Sequence, residues 1–182
     1  MRLLAGRPLV MVGMMGAGKS SVGRRLATRL GMPFVDADAE IEKAANASIS
    51  EIFDRHGEPY FRDGERRVIQ RLLEGEAKVL ATGGGAFIHP ETRATIKAQA
   101  ISIWLKADRD VLMSRVRRRS NRPLLRAGEP AEVIDQLLAE RSPFYAEANI
   151  HIQSRDVAHD AVIDDILTTL ADYLGNEAVE KV

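Results

Sequence analysis

Cysteine does not occur in the 182 residues, and its absence removes disulfides, thiolate nucleophiles and cysteine-ligated zinc together. Neither sign of charge is in excess. Lysine plus arginine number 26 and aspartate plus glutamate number 26, so no global field recruits nucleic acid or an anionic membrane, and any basic patch is local. No apolar run is long enough to cross a bilayer. The stretch from Pro8 to Met15 is apolar, yet Gly13 interrupts it and Gly16, Gly18 and Lys19 end it, which argues against a signal peptide. A cytoplasmic protein is the expectation. The four histidines, His56, His89, His151 and His159, have no metal-ligand spacing and read as surface or capping residues. No repeat, low-complexity tract or linker divides the chain. Residues 1–182 therefore read as one domain, with its core over about 8–174 and a frayed tail over 175–182.

What the chain does contain is concentrated near its start. Val10-Met11-Val12 reads as an apolar strand, and Gly13-Met14-Met15-Gly16-Ala17-Gly18-Lys19-Ser20-Ser21 follows with the G-x-x-x-x-G-K-S pattern of a phosphate-binding loop. A helix then starts near Gly18, with Val22, Leu26 and Leu30 on one face. The glycines let backbone N–H groups turn inward around a polyphosphate, and the helix N-terminus adds its partial positive charge. Lys19 can reach the β and γ phosphates, and the Ser20 hydroxyl can ligate Mg²⁺. A nucleoside triphosphate is the expected ligand.

Gly31 and Pro33 close that helix, and Phe34-Val35 begins a second strand ending at Asp36-Ala37-Asp38. Both acids then stand at a carboxyl end, where parallel sheets hold ligands. Alternation puts them on one side if the strand continues, and a helix starting near Ala37, with either acid as its cap, is the competing reading. Ser48-Ile49-Ser50-Glu51 is a capping box. Its helix should break near His56-Gly57, with a second start at Glu58-Pro59 and a core face of Val68, Ile69, Leu72 and Leu73. Arg62 and Glu65 share a face, and as an exposed pair they are worth under ~1 kcal/mol.

Lys78 to Thr82 reads as a buried strand running into Gly83-Gly84-Gly85, where three glycines point to a close backbone approach, most naturally by a ligand. No acid ends this strand, so Asp36 is the best candidate for the magnesium carboxylate. Pro90 to Gln99 is a helix and Ala100 to Leu105 a fourth strand carrying the only tryptophan, Trp104, which reads as packing. Asp108 caps a helix that turns basic through Arg115, Arg117, Arg118, Arg119, Arg122 and Arg126. The loop that follows is longer than a connection needs and reads as a lid over the phosphates, about 118–130. A helix from Ala131 to Ser142, a fifth strand from Asn149 to Ile152 and a helix from Val157 to Leu174 complete the pattern.

The ordered set of phosphate loop, Asp-x-Asp, Phe-Arg-x-x-Glu, triple glycine, Arg-Pro-Leu-Leu lid and Glu-Arg-Ser-Pro-x-Tyr resembles the shikimate kinases, within the nucleoside monophosphate kinase-like group, over nearly the whole chain. The resemblance implies an α/β three-layer sandwich with a parallel sheet of order 2-3-1-4-5, a substrate-binding segment over about 37–65, and transfer of the ATP γ-phosphate to the 3-hydroxyl of shikimate. It implies that Asp38 binds the shikimate hydroxyls and meets the 3-hydroxyl proton, and that Arg62 and Arg141 clamp the carboxylate. Phe53, Phe61 and the backbone of Gly83, Gly84 and Gly85 would line the pocket, and Glu65 would orient Arg62. Arg122 would bridge ATP and acceptor, Asp36 would hold Mg²⁺ through water opposite Ser20, and Arg118 or Arg119 with part of Ser154 to His159 would flank the adenine. ATP and shikimate are the expected partners of a monomer, without nucleic acid or membrane.

Two other classes fit parts of the pattern. Leu105-Lys106-Ala107-Asp108 is near the guanine-reading N/T-K-x-D of a GTP switch, but it lacks the first polar group and no D-x-x-G follows the third strand. Another small-molecule kinase, of gluconate or a nucleotide, shares the loop but not the two arginines with the triple glycine. A binding module without turnover fits poorly with intact Lys19, Ser20, Asp36 and Arg122.

Overall fold

The computed structural model describes residues 4, 6–117, 130–154 and 159–180. Strands β1 (Leu9–Val12), β2 (Phe34–Asp36), β3 (Val79–Ala81), β4 (Ile101–Ala107) and β5 (Ile150–Ser154) pair in parallel in the order β2-β3-β1-β4-β5. All four residues of β1 are buried, because the central strand of a parallel sheet is covered on both faces by the helices of its own crossovers. That strand lies between β3, with Val10 opposite Leu80, and β4, with Val10 opposite Ser102. It therefore delivers the phosphate loop to the middle of the carboxyl edge of the sheet.

Seven helices accompany the strands among the described residues: α1 (Lys19–Leu30), α2 (Ala37–Ala45), α3 (Ile49–Leu73), α4 (Pro90–Gln99), α5 (Arg109–Arg117), α6 (Pro130–Tyr145) and α7 (His159–Glu180). Helix α2 starts at Ala37, so the competing reading of the Asp-x-Asp segment holds: Asp36 ends β2 and caps α2, accepting the Asp38 N–H at 3.1 Å. Helix α3 has the expected capping box at Ser48 and Glu51 and the expected break, with Gly57 at φ 77° and ψ 175° between two helical segments. A second cluster of buried apolar side chains, Ile41, Ile52, Phe61 and Val68, fixes α2 and α3 to each other apart from the main core.

The end of the chain differs from the sequence reading. Residues 175–180 continue α7 where a frayed tail was expected. The added turn is tied down by Arg7, whose Nη1 donates to Glu177 at 3.0 Å, and by the Tyr173 hydroxyl, which donates to the same carboxylate at 3.0 Å. Asp108 directly precedes α5, and its Oδ1 accepts from Gln153 Nε2 at 2.9 Å. The lid, with Arg118, Arg119, Arg122 and Arg126, lies outside the described residues; Pro130, its expected end, opens α6.

Candidate functional site

The phosphate loop takes its shape from its glycines and its neighbours. Gly13 has φ 131°, and a Cβ there would stand 2.7 Å from the Leu105 carbonyl oxygen, so both the dihedral and the contact with β4 require glycine. Met14, Met15 and Ala17 are buried beneath the loop, while Gly16 and Gly18 stay partly exposed at its rim. Lys19 is only 9% exposed and donates from Nζ to the carbonyls of Gly13 at 2.8 Å and Met14 at 2.9 Å. Its ammonium is thus held across the mouth of the loop, where a β or γ phosphate would meet it. Ser21 is half-buried in the first turn of α1.

Ser20 and Asp36 converge from the start of α1 and the end of β2. The Ser20 hydroxyl donates to Asp36 Oδ2 at 2.7 Å, and Asp36 Oδ1 accepts the Asp38 N–H. A hydroxyl and a carboxylate oxygen on a partly exposed rim suit a hard cation that keeps several waters, which is the coordination Mg²⁺ prefers beside phosphates. No group of three or more His, Asp or Glu side chains suited to a metal occurs among the described residues, so the protein side of this site has few ligands.

The triple glycine is explained by side chains. A Cβ on Gly83 would lie 2.9 Å from Asp38 Oδ1 and 3.0 Å from Glu65 Oε1, one on Gly85 would run into the Arg62 guanidinium, and one on Gly84 would lie 3.6 Å from Arg141 Nη1. Asp38, Glu65, Arg62 and Arg141 are therefore gathered around a stretch of bare backbone. The same stretch lies beside the phosphate loop, since a Cβ on Gly84 would stand 3.3 Å from the Met15 nitrogen and 3.8 Å from the Gly13 oxygen.

Arg62 and Glu65 are not the weak surface pair that spacing alone suggested. Glu65 is 2% exposed and accepts from Arg62 Nη1 at 2.6 Å. Burial pushes the Glu65 carboxyl above its usual pKa; the Arg62 guanidinium opposes that, and Asp38 adds to it. Burial works against the Arg62 charge, but Glu65 and Glu58 outweigh it and hold the guanidinium above the usual arginine value. Glu65 Oε1 and Arg141 Nη1 are both buried without a hydrogen-bond partner among the described residues. Unpartnered buried donors and acceptors are rare, and here they stand against neighbouring glycines, Glu65 Oε1 by Gly83 and Arg141 Nη1 by Gly84. Phe53 and Phe61 pack with ring centroids 4.7 Å apart, and the Arg62 guanidinium lies 5.1 Å from the Phe61 centroid.

Sequence reasoning missed two neighbours of the site. Tyr145, 1% exposed, donates its hydroxyl to the Gly84 carbonyl, and burial raises its pKa to about 12 against the opposing pull of Arg141. The signal was there: Tyr145 follows Arg141 by four residues on one helix, so the two share a face. Arg115 donates from Nη1 to the Ala17 carbonyl and to Ser154 Oγ, both at 3.1 Å, and so joins the phosphate loop to β5. It was hidden in a run of arginines that reads as a lid. The near-match to a guanine-reading motif is otherwise employed: Leu105 and Ala107 are buried in β4, and Lys106 Nζ lies 5.7 Å from the Trp104 ring centroid.

Comparison with known proteins follows the same lines. Residues 15–171 match the family model described as shikimate kinase. A shikimate kinase of Rhodopseudomonas palustris is 61% identical over 171 residues, 94% of this chain and 84% of the relative. The structure of shikimate kinase from Acinetobacter baumannii in complex with shikimate superposes with a TM-score of 0.89 at 37% identity, covering 94% of this chain and 96% of that one. A gluconokinase from Sinorhizobium meliloti has a TM-score of 0.64 at 16% identity, over 97% of this chain and 98% of that one. That last likeness is one of fold alone.

Proposed function

The chain belongs to the shikimate kinase family of ATP-dependent kinases, and we propose that it transfers the ATP γ-phosphate to the 3-hydroxyl of shikimate through the residues gathered at the carboxyl edge of the sheet. One observation carries this assignment of residues: Asp38, Glu65, Arg62 and Arg141 surround the Gly83–Gly85 backbone, which abuts the phosphate loop holding Lys19. A small carboxylated alcohol seated there has its carboxylate against two planar guanidiniums and its hydroxyls against Asp38.

In the reaction the 3-hydroxyl oxygen attacks the γ phosphorus, the bond to the β–γ bridging oxygen breaks, and ADP leaves. Asp38 orients the hydroxyl and receives its proton. Lys19 and Arg122 spread the charge that builds on the equatorial oxygens, so positioning and neutralisation supply most of the catalysis. Ser20 and Asp36 would hold Mg²⁺, which contributes further neutralisation of the phosphates when bound. The loop backbone from Gly13 to Ser21 cradles the phosphates. Arg118 or Arg119 of the lid, with part of Ser154 to His159, would flank the adenine, and Arg115 ties Ser154 to the phosphate loop. Phe53 and Phe61 exclude water from the acceptor.

This reading takes residues 1–182 as one kinase domain, acting as a cytoplasmic monomer on two small molecules, with no nucleic acid or membrane partner. The balanced charge gives no global field for a polyanion, and no helix among the described residues is long and apolar enough to cross a membrane.

The test is a coupled assay of ADP release against shikimate, gluconate and nucleoside monophosphates. Release that depends on shikimate and Mg²⁺ is expected. Full activity on another alcohol with none on shikimate would refute the assignment.

A further inference from the structure

Arg62 carries two carboxylates of different character. Glu65 holds Nη1 at 2.6 Å with 3% of its side chain exposed. Glu58, one turn earlier on α3, takes Nε at 3.1 Å and Nη2 at 3.0 Å, both on its single oxygen Oε1, and its side chain is 54% exposed. We propose that Glu58 is an exchangeable counter-anion of the acceptor seat, holding the edge of Arg62 that the substrate carboxylate takes and leaving to solvent when that carboxylate arrives. The proposal rests on Arg62 being the carboxylate ligand, as assigned above.

Three features of the geometry support exchange at Glu58 and not at Glu65. The Nε and Nη2 edge of a guanidinium is matched best by a carboxylate that offers one oxygen to each nitrogen. Glu58 offers one oxygen to both, so a ligand binding in the two-oxygen mode outcompetes it. Glu58 also leaves at little cost because half of its side chain is already in water, whereas withdrawing Glu65 would strand buried groups. Finally, Glu58 stands at the break in α3. Gly57, directly before it, has the positive φ that separates the two helical segments, and Pro59, directly after it, has no N–H to tie that turn.

The surroundings agree. A cavity of about 780 Å³ is lined by Glu58 together with Arg62, Gly85 and Arg141, so its wall runs from Glu58 to both guanidiniums. The other charges of that wall are paired among themselves, Arg66 with Asp63 at 2.8 Å and with Glu91 at 3.3 Å. Glu58 is the carboxylate there that lies on a substrate-binding arginine. Its consequence is selectivity: a neutral alcohol cannot replace Glu58 on Arg62, while a carboxylated one can, at the expense of part of its affinity.

The experiment is equilibrium binding of shikimate, shikimate methyl ester and ATP to the full chain and to its Glu58→Ala and Glu58→Gln variants, with folding checked by thermal melting. Shikimate is expected to bind both variants about two- to fivefold more tightly, the factor an ion pair of this exposure is worth. The methyl ester and ATP are expected to change by less than that. Should Glu58→Ala fail to fold, Glu58→Gln, which keeps the shape and loses the charge, carries the test. Unchanged or weaker shikimate binding in the variants overturns the role of Glu58 alone. No binding of shikimate to the unaltered chain overturns the acceptor assignment and this role with it.

Discussion

Glu65 and Arg62 sit three residues apart on α3, and their 2.6 Å contact is buried to 2% exposure on the Glu65 side. Spacing of this kind on a free helix gives an ion pair of small value, but here Gly83 and Gly85 close over it. The contact fixes the direction in which Arg62 points. Replacing Glu65 with alanine strands a buried guanidinium edge, and the expected loss is about 3 kcal/mol of stability from a broken buried pair. The same change should raise the shikimate KM at least tenfold and leave the ATP KM within about twofold. Denaturant melts and steady-state kinetics on one preparation check both.

Arg62→Ala and Arg141→Ala should each lower kcat/KM for shikimate about 10²- to 10³-fold, because removing a charged hydrogen bond to the substrate carboxylate costs about 3 to 4 kcal/mol. ATP binding should be nearly unaffected. Collapse of nucleotide binding in folded protein would mean that the two arginines serve the phosphates.

Gly85→Ala separates the acceptor seat from the phosphate loop. Gly85 has φ −92° and ψ −15°, a conformation open to alanine, and the three atoms nearest the added Cβ all belong to the Arg62 guanidinium. Arg62 can move aside only by giving up its buried contact with Glu65, so stability should fall by up to the ~3 kcal/mol of that pair, ATP binding should hold, and shikimate turnover should fall about as far as in Arg62→Ala. A Gly13→Ala chain should lose stability through the backbone itself, because its Cβ meets the Leu105 carbonyl at φ 131°.

Tyr145 makes stability fall at high pH. Its hydroxyl titrates at about 12 in the folded chain against 10.0 for the free side chain. Between those values the unfolded chain has lost the proton and the folded chain still holds it, so the stabilisation present below pH 10 is lost as pH rises toward 12. The full loss is about 2 to 3 kcal/mol. Tyr145→Phe should remove this part of the alkaline slope, which denaturant titrations from pH 9 to 12 would measure.

Asp36→Asn tests the metal rim. Asparagine still accepts the Asp38 N–H through its carbonyl oxygen, so α2 keeps its cap and stability should drop by less than ~1 kcal/mol. Removing the charge should raise the Mg²⁺ concentration needed for half-maximal rate several-fold. EDTA should abolish turnover in both chains.

Much of the site could be read from the chain because its chemistry is local. The phosphate loop, the Ser48 capping box, the break at Gly57 and the buried β1 strand are each set by neighbours within a few residues, through φ preference, capping and periodicity. Such features survive without knowledge of what packs against them. The end of α7 and the start of α2 were less legible. The first depends on Arg7, 170 residues away from Glu177, and the second on a choice at Asp36 between continuing a strand and capping a helix.

By itself the sequence determined that a strand ends in a phosphate loop, and that acids, arginines and three glycines of particular kinds follow in order. Only the tertiary structure decided what those residues mean to one another. Glu65 became a buried support because Gly83 lies against it, Glu58 and Glu65 became unequal partners of Arg62 because one is exposed and the other is not, and Tyr145 entered the site through the Gly84 carbonyl. The physical reason is that burial sets the strength of an interaction between charges. Burial is a property of chain segments far apart in sequence, brought together at the edge of the sheet.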